Sequence, residues 1–292
     1  MKDFVFLAPA TLEEAVHLLA THRDRAKILA GGTDLMLQLQ DGLFQPDYVI
    51  SVRNIPELNT LEFDPERGLT LGAATPLRRI ETDSLIQRKY PQLATGAREI
   101  GSIQIRNLGS AGGNICTATP SGDILPSLVS LEATARVASV RGERLIPLEQ
   151  FFVGVRRTVL EPDEILVDLR IPPPPPRTSG AYIKLYTRPA MDLAIVGVAA
   201  TVTLAADNAT IQQAAICLGA VAPTPIRARE AEEILIGRPL DENILAEAGQ
   251  AAARAARPIS DVRASAEYRR EQCDLMTRRA VRLAVERARA AA

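Results

Sequence analysis

The amino-acid sequence predicts an α+β protein in two parts, and three observations carry that prediction. Five consecutive prolines, Pro172 to Pro176, interrupt the chain. Such a run can join neither a helix nor a central strand and forms a stiff polyproline II spacer. Before it, short apolar runs alternate with amphipathic helical patterns and hairpin turns. After it come three strand patterns and then three helical ones, the signature of a small antiparallel sheet with helices. The two parts are expected to be residues 1–176 and 177–292, with the first subdivided near residue 55.

Phe4 to Leu7 reads as a short strand. Thr11-Leu12-Glu13-Glu14 is a capping box, and Leu12, Ala15, Val16 and Leu19 follow it as one apolar stripe. Ala26 to Leu29 is a strand, Leu35 to Leu39 a short helix or extended turn, and Tyr48 to Val52 a strand. Leu61–Phe63 and Leu69–Gly72 flank a Pro/Gly turn and form a hairpin. Thr75 is expected to cap a helix with Pro76 at its first position. Pro91 opens another helix with Leu93, Ala97 and Ile100 on one face. Ala133–Val140 and Arg144–Pro147 form a second hairpin, and Ile165–Ile171 a strand. Beyond the prolines, strands are expected over 181–185, 195–204 and 211–218. Helices are expected over 226–236, 241–255 and from Ser265 to the C-terminus. There is no internal repeat.

Composition narrows the function. The chain has 292 residues, 47% of them apolar, which is enough for a real core. Its formal net charge is -1, which argues against a nucleic-acid binder, and the absence of Trp argues against a base-stacking surface. Cys116, Cys217 and Cys273 are far apart and form no Cys-x-x-Cys, so no zinc or iron–sulfur site is expected on this chain. Sparse, unpaired cysteines and a start at Met1-Lys2-Asp3-Phe4 without an apolar h-region point to a cytoplasmic location. No apolar stretch is long enough to span a membrane.

Two glycine segments carry the chemistry. Ile28-Leu29-Ala30-Gly31-Gly32-Thr33-Asp34-Leu35 follows one apolar run, and Ser110-Ala111-Gly112-Gly113-Asn114 follows another. Adjacent glycines leave bare backbone N–H groups that a phosphate oxygen can approach, and two such segments suggest a ligand with two phosphates. Either pair alone reads first as a tight turn or a strand-to-helix bend. Neither the Rossmann nor the P-loop fingerprint is present. His17 and His22 build no triad and no metal set. Taken alone, Asp192 reads as a loop carboxylate and Lys184 as an outward-facing strand residue.

The first glycine segment, the stretch Gln104-Ile105-Arg106-Asn107-Leu108-Gly109-Ser110-Ala111-Gly112-Gly113-Asn114-Ile115, and Pro120-Ser121-Gly122-Asp123 together resemble the FAD-binding medium subunit of molybdenum hydroxylases. Gly154-x-Arg156-Arg157-Thr158 and Tyr182-Ile183-Lys184-Leu185 with Arg188 and Asp192 extend the resemblance over nearly the whole chain. It implies a two-part FAD domain of the vanillyl-alcohol-oxidase type and a C-terminal domain closing over the flavin. It further implies non-covalent FAD, its pyrophosphate held by N–H groups of Ala30–Asp34 and Ser110–Asn114. Ile28, Leu29 and Leu35 flank the first of these segments. Ile100, Leu166 and Lys184 match residues that line the flavin site, and Asp123 matches a carboxylate that hydrogen-bonds the cofactor. No catalytic residue or metal ligand is expected on this chain. Molybdenum cofactor and 2Fe–2S clusters are expected on a large and a small partner subunit, with NAD or another molecule as electron acceptor. Without a cysteine-rich insertion, an additional iron–sulfur cluster is not expected. A structural flavin scaffold and a stand-alone flavin oxidase are the alternatives.

Overall fold

The computed structural model describes residues 2–290. Met1 and residues 291–292, over which the last helix is expected to continue, lie outside the described residues. The chain builds three principal sheets, and the first is parallel. It contains β1 (Val5–Leu7), β2 (Ala26–Leu29) and β3 (Tyr48–Ser51), in the order β1-β3-β2. Parallel strands need crossovers, supplied by α1 (Leu12–His22) and α2 (Leu35–Gln40). Ala15, Val16 and Leu19 of the expected stripe are buried. Thr11 caps α1 by accepting from Glu14 N at 3.2 Å, but the Glu14 carboxylate reaches back to Ala10 N at 2.8 Å, one residue before the cap.

The second sheet is antiparallel. β4 (Leu61–Asp64) and β5 (Gly68–Gly72) form the first hairpin. Six helices follow: α3 (Leu77–Thr82), α4 (Ser84–Lys89), α5 (Pro91–Arg98), α6 (Ile103–Leu108), α7 (Ala111–Thr117) and α8 (Ile124–Ser130). Next come β6 (Thr134–Ser139) and β7 (Gly142–Pro147), then the small ribbon β8 (Phe152–Gly154) and β9 (Arg157–Thr158), and β10 (Ile165–Ile171). The sheet order is β4-β5-β10-β6-β7. Every residue of α8 is buried. The apolar cluster of the first sheet includes Ala138, Ile165 and Val167, so the first two sheets share a core.

The third sheet is β11 (Thr178–Leu185), β12 (Val196–Leu204), β13 (Ile211–Gly219) and β14 (Ile226–Arg227), antiparallel throughout. α9 (Arg229–Leu235), α10 (Glu242–Ala255) and α11 (Ala266–Ala290) complete its apolar cluster. α5 and α8 also pack on this sheet. The molecule is a mixed α and β fold with antiparallel sheets after the first, as the patterning predicts.

Three local expectations need correction. Thr75 is not the cap of α3: Pro76 is, with φ -62° and ψ 140°, and the helix begins one residue later. The extended conformation favoured before a proline holds Thr75 in the loop, where its hydroxyl donates to Thr60 O at 3.3 Å. The helix expected from Ile226 begins at Arg229, because Ile226 and Arg227 pair with Leu218 and Cys217 as a strand. Ile100 lies past the end of α5, in the turn before α6.

Candidate functional site

A cavity of about 920 Å³ opens between the first two sheets, with the turn that follows β11 on its wall. That volume is at the upper end of the range for small-molecule and cofactor sites. Its wall takes in the β2–α2 connection, the α6–α7 segment, the entry to α8, the β8–β9 turn, β10 and the Met191–Leu193 turn.

The first glycine segment is an open loop. β2 makes its last ladder contact where Val52 N donates to Leu29 O at 2.9 Å, and Ala30 to Asp34 then leave the sheet. Gly32 has φ +76°, a conformation glycine adopts at no steric cost. A side chain on Gly31 would run into the carbonyl oxygen of Leu108, so the two glycine segments lie against each other. The backbone N–H groups of Gly31, Gly32, Thr33 and Asp34 donate to no other described residue. Successive unpaired N–H groups in a turn make an anion-binding concavity. Burial raises the Asp34 carboxyl above its ordinary range, and the charge of Arg156 offsets part of that rise.

The second glycine segment is built differently, which corrects the expectation of a second open loop. Ser110 caps α7, and the glycines are its first turn. Ala111 N donates to Thr75 O at 3.0 Å, Gly112 N to Ala73 O at 2.7 Å, Gly113 N to Ser110 Oγ at 3.1 Å and Asn114 N to Ser110 O at 3.0 Å. These N–H groups are committed within the chain. Gly112 is required for packing: a Cβ there would lie 2.6 Å from Ala73 Cβ and 2.8 Å from Ala73 O. Gly113 meets only Ser110 Oγ, at 3.0 Å. What this segment offers instead is the side chain of Asn114, whose Oδ1 is buried without a hydrogen-bond partner. An orphaned buried acceptor on a cavity wall is costly and calls for a donor.

Asp123 lies at the other end, preceding α8. Its Oδ1 accepts from Tyr182 Oη at 2.8 Å and its Oδ2 from Lys184 Nζ at 2.9 Å. Lys184 also donates to Glu99 O at 3.1 Å, and its side chain is 3% exposed. The outward-facing reading of Lys184 is therefore overturned, because a buried ammonium has to be paired. Burial pushes the Asp123 carboxyl up to about 6, the Lys184 charge and the two hydrogen bonds holding it from rising further. Both oxygens of Asp123 are thus engaged by β11, although Asp123 itself lines the cavity. Gly197 makes room for this arrangement: a Cβ there would lie 2.7 Å from Tyr182 Oη.

Of the residues singled out in the sequence, Ile28, Ala30 to Leu35, Ile100, Ser110, Gly112, Gly113, Asn114, Asp123 and Leu166 line the cavity. Leu29, Ala111 and Lys184 do not. Leu29 lies in β2, Ala111 is fully buried beside Thr75, and Lys184 is screened by Asp123. The wall also includes residues not assigned to it from the sequence. Arg156 lies in the β8–β9 turn with φ +56°. Lys27 stands 4.4 Å over the Phe44 ring. Cys116 is open to the cavity, yet the protein packed around it pushes its thiol up to about 12, so it stays protonated. Asp192 folds its own turn, accepting from Thr187 Oγ1 at 2.5 Å, Thr187 N at 2.9 Å and Arg188 N at 3.0 Å, and these bonds, the hydroxyl's foremost, hold its carboxyl below the usual range. A backbone φ at Arg156 and the return of the 187–193 turn to the cavity leave no local signature in sequence. Among the described residues, no three His, Cys, Asp or Glu side chains are grouped to hold a metal ion, and no helix is long and apolar enough to cross a membrane.

Comparison with known proteins converges on one family. Residues 2–174 match the family model described as FAD binding domain in molybdopterin dehydrogenase, and residues 181–284 match CO dehydrogenase flavoprotein C-terminal domain. The chain is 35% identical over 287 residues to the xanthine dehydrogenase FAD-binding subunit of Escherichia coli O157:H7, covering 98% of this chain and 97% of that one. It is 36% identical over 244 residues to the nicotinate dehydrogenase FAD-subunit of Eubacterium barkeri, 82% of each chain. The solved carbon monoxide dehydrogenase from Hydrogenophaga pseudoflava matches with a TM-score of 0.92 at 32% identity, over 97% of this chain and 98% of that one. With two family models spanning nearly all of its length and full-length relatives at this identity, the chain belongs to the FAD-binding medium subunits of the molybdenum hydroxylases.

Proposed function

We propose that this chain is the electron-transfer subunit of a cytoplasmic molybdenum hydroxylase complex and holds FAD non-covalently in the 920 Å³ cavity. Bound there, FAD supplies the redox chemistry, linking 2Fe–2S clusters on a small partner subunit to NAD or another acceptor. Substrate and molybdenum cofactor belong to a large partner subunit. The observation that carries this reading is the row of uncommitted N–H groups from Gly31 to Asp34 on the wall of a cavity large enough for a dinucleotide.

The roles of the residues follow from their chemistry. The N–H groups of the first glycine segment hold the pyrophosphate, with Ile28 and Leu35 as its apolar flanks. Asn114 Oδ1 accepts from a cofactor hydroxyl or ring N–H, which would relieve its buried, unpartnered state. Asp123 positions β11 at the flavin end, and any cofactor contact uses a lone pair left by Tyr182 and Lys184. Ile100 and Leu166 exclude water there. Residues 1–176 form the FAD-binding part, and 177–292 form the part that closes over it. No proton transfer by this chain is required.

The test is anaerobic flavin bleaching. The chain alone, reconstituted with FAD, is expected to show a flavin spectrum and no bleaching by purines, nicotinate, carbon monoxide or other heterocycles. Addition of the small and large subunits is expected to produce substrate-driven bleaching. Bleaching by the isolated, metal-free chain would replace this reading with that of a stand-alone oxidase. An assembled complex that turns over without flavin reduction would replace it with a structural scaffold.

A further inference from the structure

The cavity wall is unusually acidic for a site that takes a diphosphate. Asp34, Asp123, Glu161, Glu164 and Asp192 all line it, against the cations Lys27 and Arg156. Three of the acids are engaged elsewhere: Asp123 by Lys184, Glu164 by Arg144 and Asp192 by its own turn. Asp34 is not, and it ends the segment whose N–H groups are uncommitted. A diphosphate there would meet a carboxylate at close range. Of the two cations, Lys27 lies on Phe44, whereas Arg156 forms no ion pair with any described residue.

Arg156 is also held in place by its backbone. It has φ +56° and donates its N–H at 2.9 Å to the carbonyl of Ala118, which itself has φ +47°. Left-handed conformations in non-glycine residues cost about 1–2 kcal/mol each. This bond between two such residues ties the β8–β9 turn to the end of α7 and holds the Arg156 backbone on the cavity wall. The field of Arg156 reaches Asp34. A guanidinium is always charged and matches phosphate oxygens in a fork that no other side chain offers.

We propose that Arg156 is the charge partner of the cofactor's diphosphate, balancing Asp34 until the phosphates arrive and binding them when they do. The inference rests on the FAD reading of this cavity. It makes Arg156 a specificity residue for a phosphorylated flavin over the bare isoalloxazine–ribityl unit.

The experiment is calorimetric titration of the flavin-free full chain with FAD and, separately, with riboflavin, which has no phosphate. Arg156→Gln keeps an unbranched polar side chain without the charge or the guanidinium fork. It is expected to weaken FAD binding about ten- to hundredfold, the loss of one charge-assisted pairing, and to leave riboflavin binding unchanged. Arg156→Lys is expected to restore most of the FAD affinity, and circular dichroism is expected to show the wild-type fold in both. Asp34→Asn, which removes the repulsive carboxylate, is expected to bind FAD at least as tightly as the wild type. The inference is overturned if Arg156→Gln binds FAD within about twofold of the wild type, or loses riboflavin equally. It is also overturned if Asp34→Asn loses FAD as severely as Arg156→Gln, because the pair would then only shape the loop. Failure of the wild-type chain to take up FAD at all would overturn the cofactor reading itself, and this inference with it.

Discussion

Gly112 and Gly113 are neighbours in sequence with opposite surroundings. A side chain on Gly112 collides with Ala73, whereas Gly113 has only a hydroxyl nearby. Gly112→Val is expected to cost about 1–3 kcal/mol by overpacking, seen as a lowered thermal midpoint. Gly113→Ala is expected to retain the midpoint, since alanine improves helix propensity by up to ~1 kcal/mol, while reducing FAD affinity by narrowing the cavity. A Gly112→Val chain that melts with the wild type would contradict the close packing. Asp123 brings a pH dependence at the same scale. Its folded value of about 6 lies above the ordinary 3.8. Between those values the folded chain keeps a proton the unfolded chain has lost, so stability falls as pH rises through that window. The loss is then constant above it, at about 3 kcal/mol at most. Urea unfolding of the flavin-free chain at about pH 4 and pH 7 is expected to show this fall, and Asp123→Asn to remove it.

Among the elements, β11 and α8 depend on one another. Tyr182 and Lys184 are two residues apart on β11 and so point to the same face. Both reach Asp123 at the head of α8. Lys184→Met would strand a buried carboxylate, and breaking such a pair typically costs about 3–5 kcal/mol. Above pH 7 the single variant is expected to be destabilised by about this amount, with part relieved at lower pH as Asp123 takes up a proton. Adding Asp123→Asn is expected to return much of the loss. A double variant as unstable as the single one would show that Lys184 acts by packing rather than by charge.

For the molecule as a whole, the proline run separates stretches of sequence without separating their cores. Cys217 of β13 belongs to the apolar cluster of the second sheet, and Gln92 of α5 donates to Thr201 of β12 at 2.9 Å. α8 is buried on all sides, with β12 and β13 among its neighbours. A chain ended at Pro176 would uncover the face of α5 and α8 that meets the third sheet, including Pro126 beside Gly219 and the side chains of Gln92 and Ser130 beside Thr201. It is expected to aggregate or to bind a hydrophobic dye strongly, whereas the full chain is not. A soluble, cooperatively melting 1–176 fragment would show that the interface is dispensable.

What the sequence by itself determined is whatever local chemistry decides. The α1 stripe, the β4–β5 and β6–β7 hairpins, and the strands on either side of the prolines follow from periodicity and turn residues read over a few positions. The first glycine segment belongs with them in part, because Gly31-Gly32 after an apolar strand marks a turn, in which Gly32 takes φ +76°. The order of the motifs was enough to identify the family. Tertiary structure decided the rest, through partners far away in the chain. Ala73 and Thr75 turned the second glycine pair from a loop into the first turn of a helix by taking its N–H groups. Asp123 turned Lys184 inward, because an ammonium at a buried interface must find a carboxylate. Arg156 lines the cavity from a left-handed turn whose N–H is bonded to the carbonyl of Ala118, far back in the chain. In each case the deciding interaction joins groups brought together by packing, and a local pattern carries no record of where a distant carbonyl or carboxylate will lie.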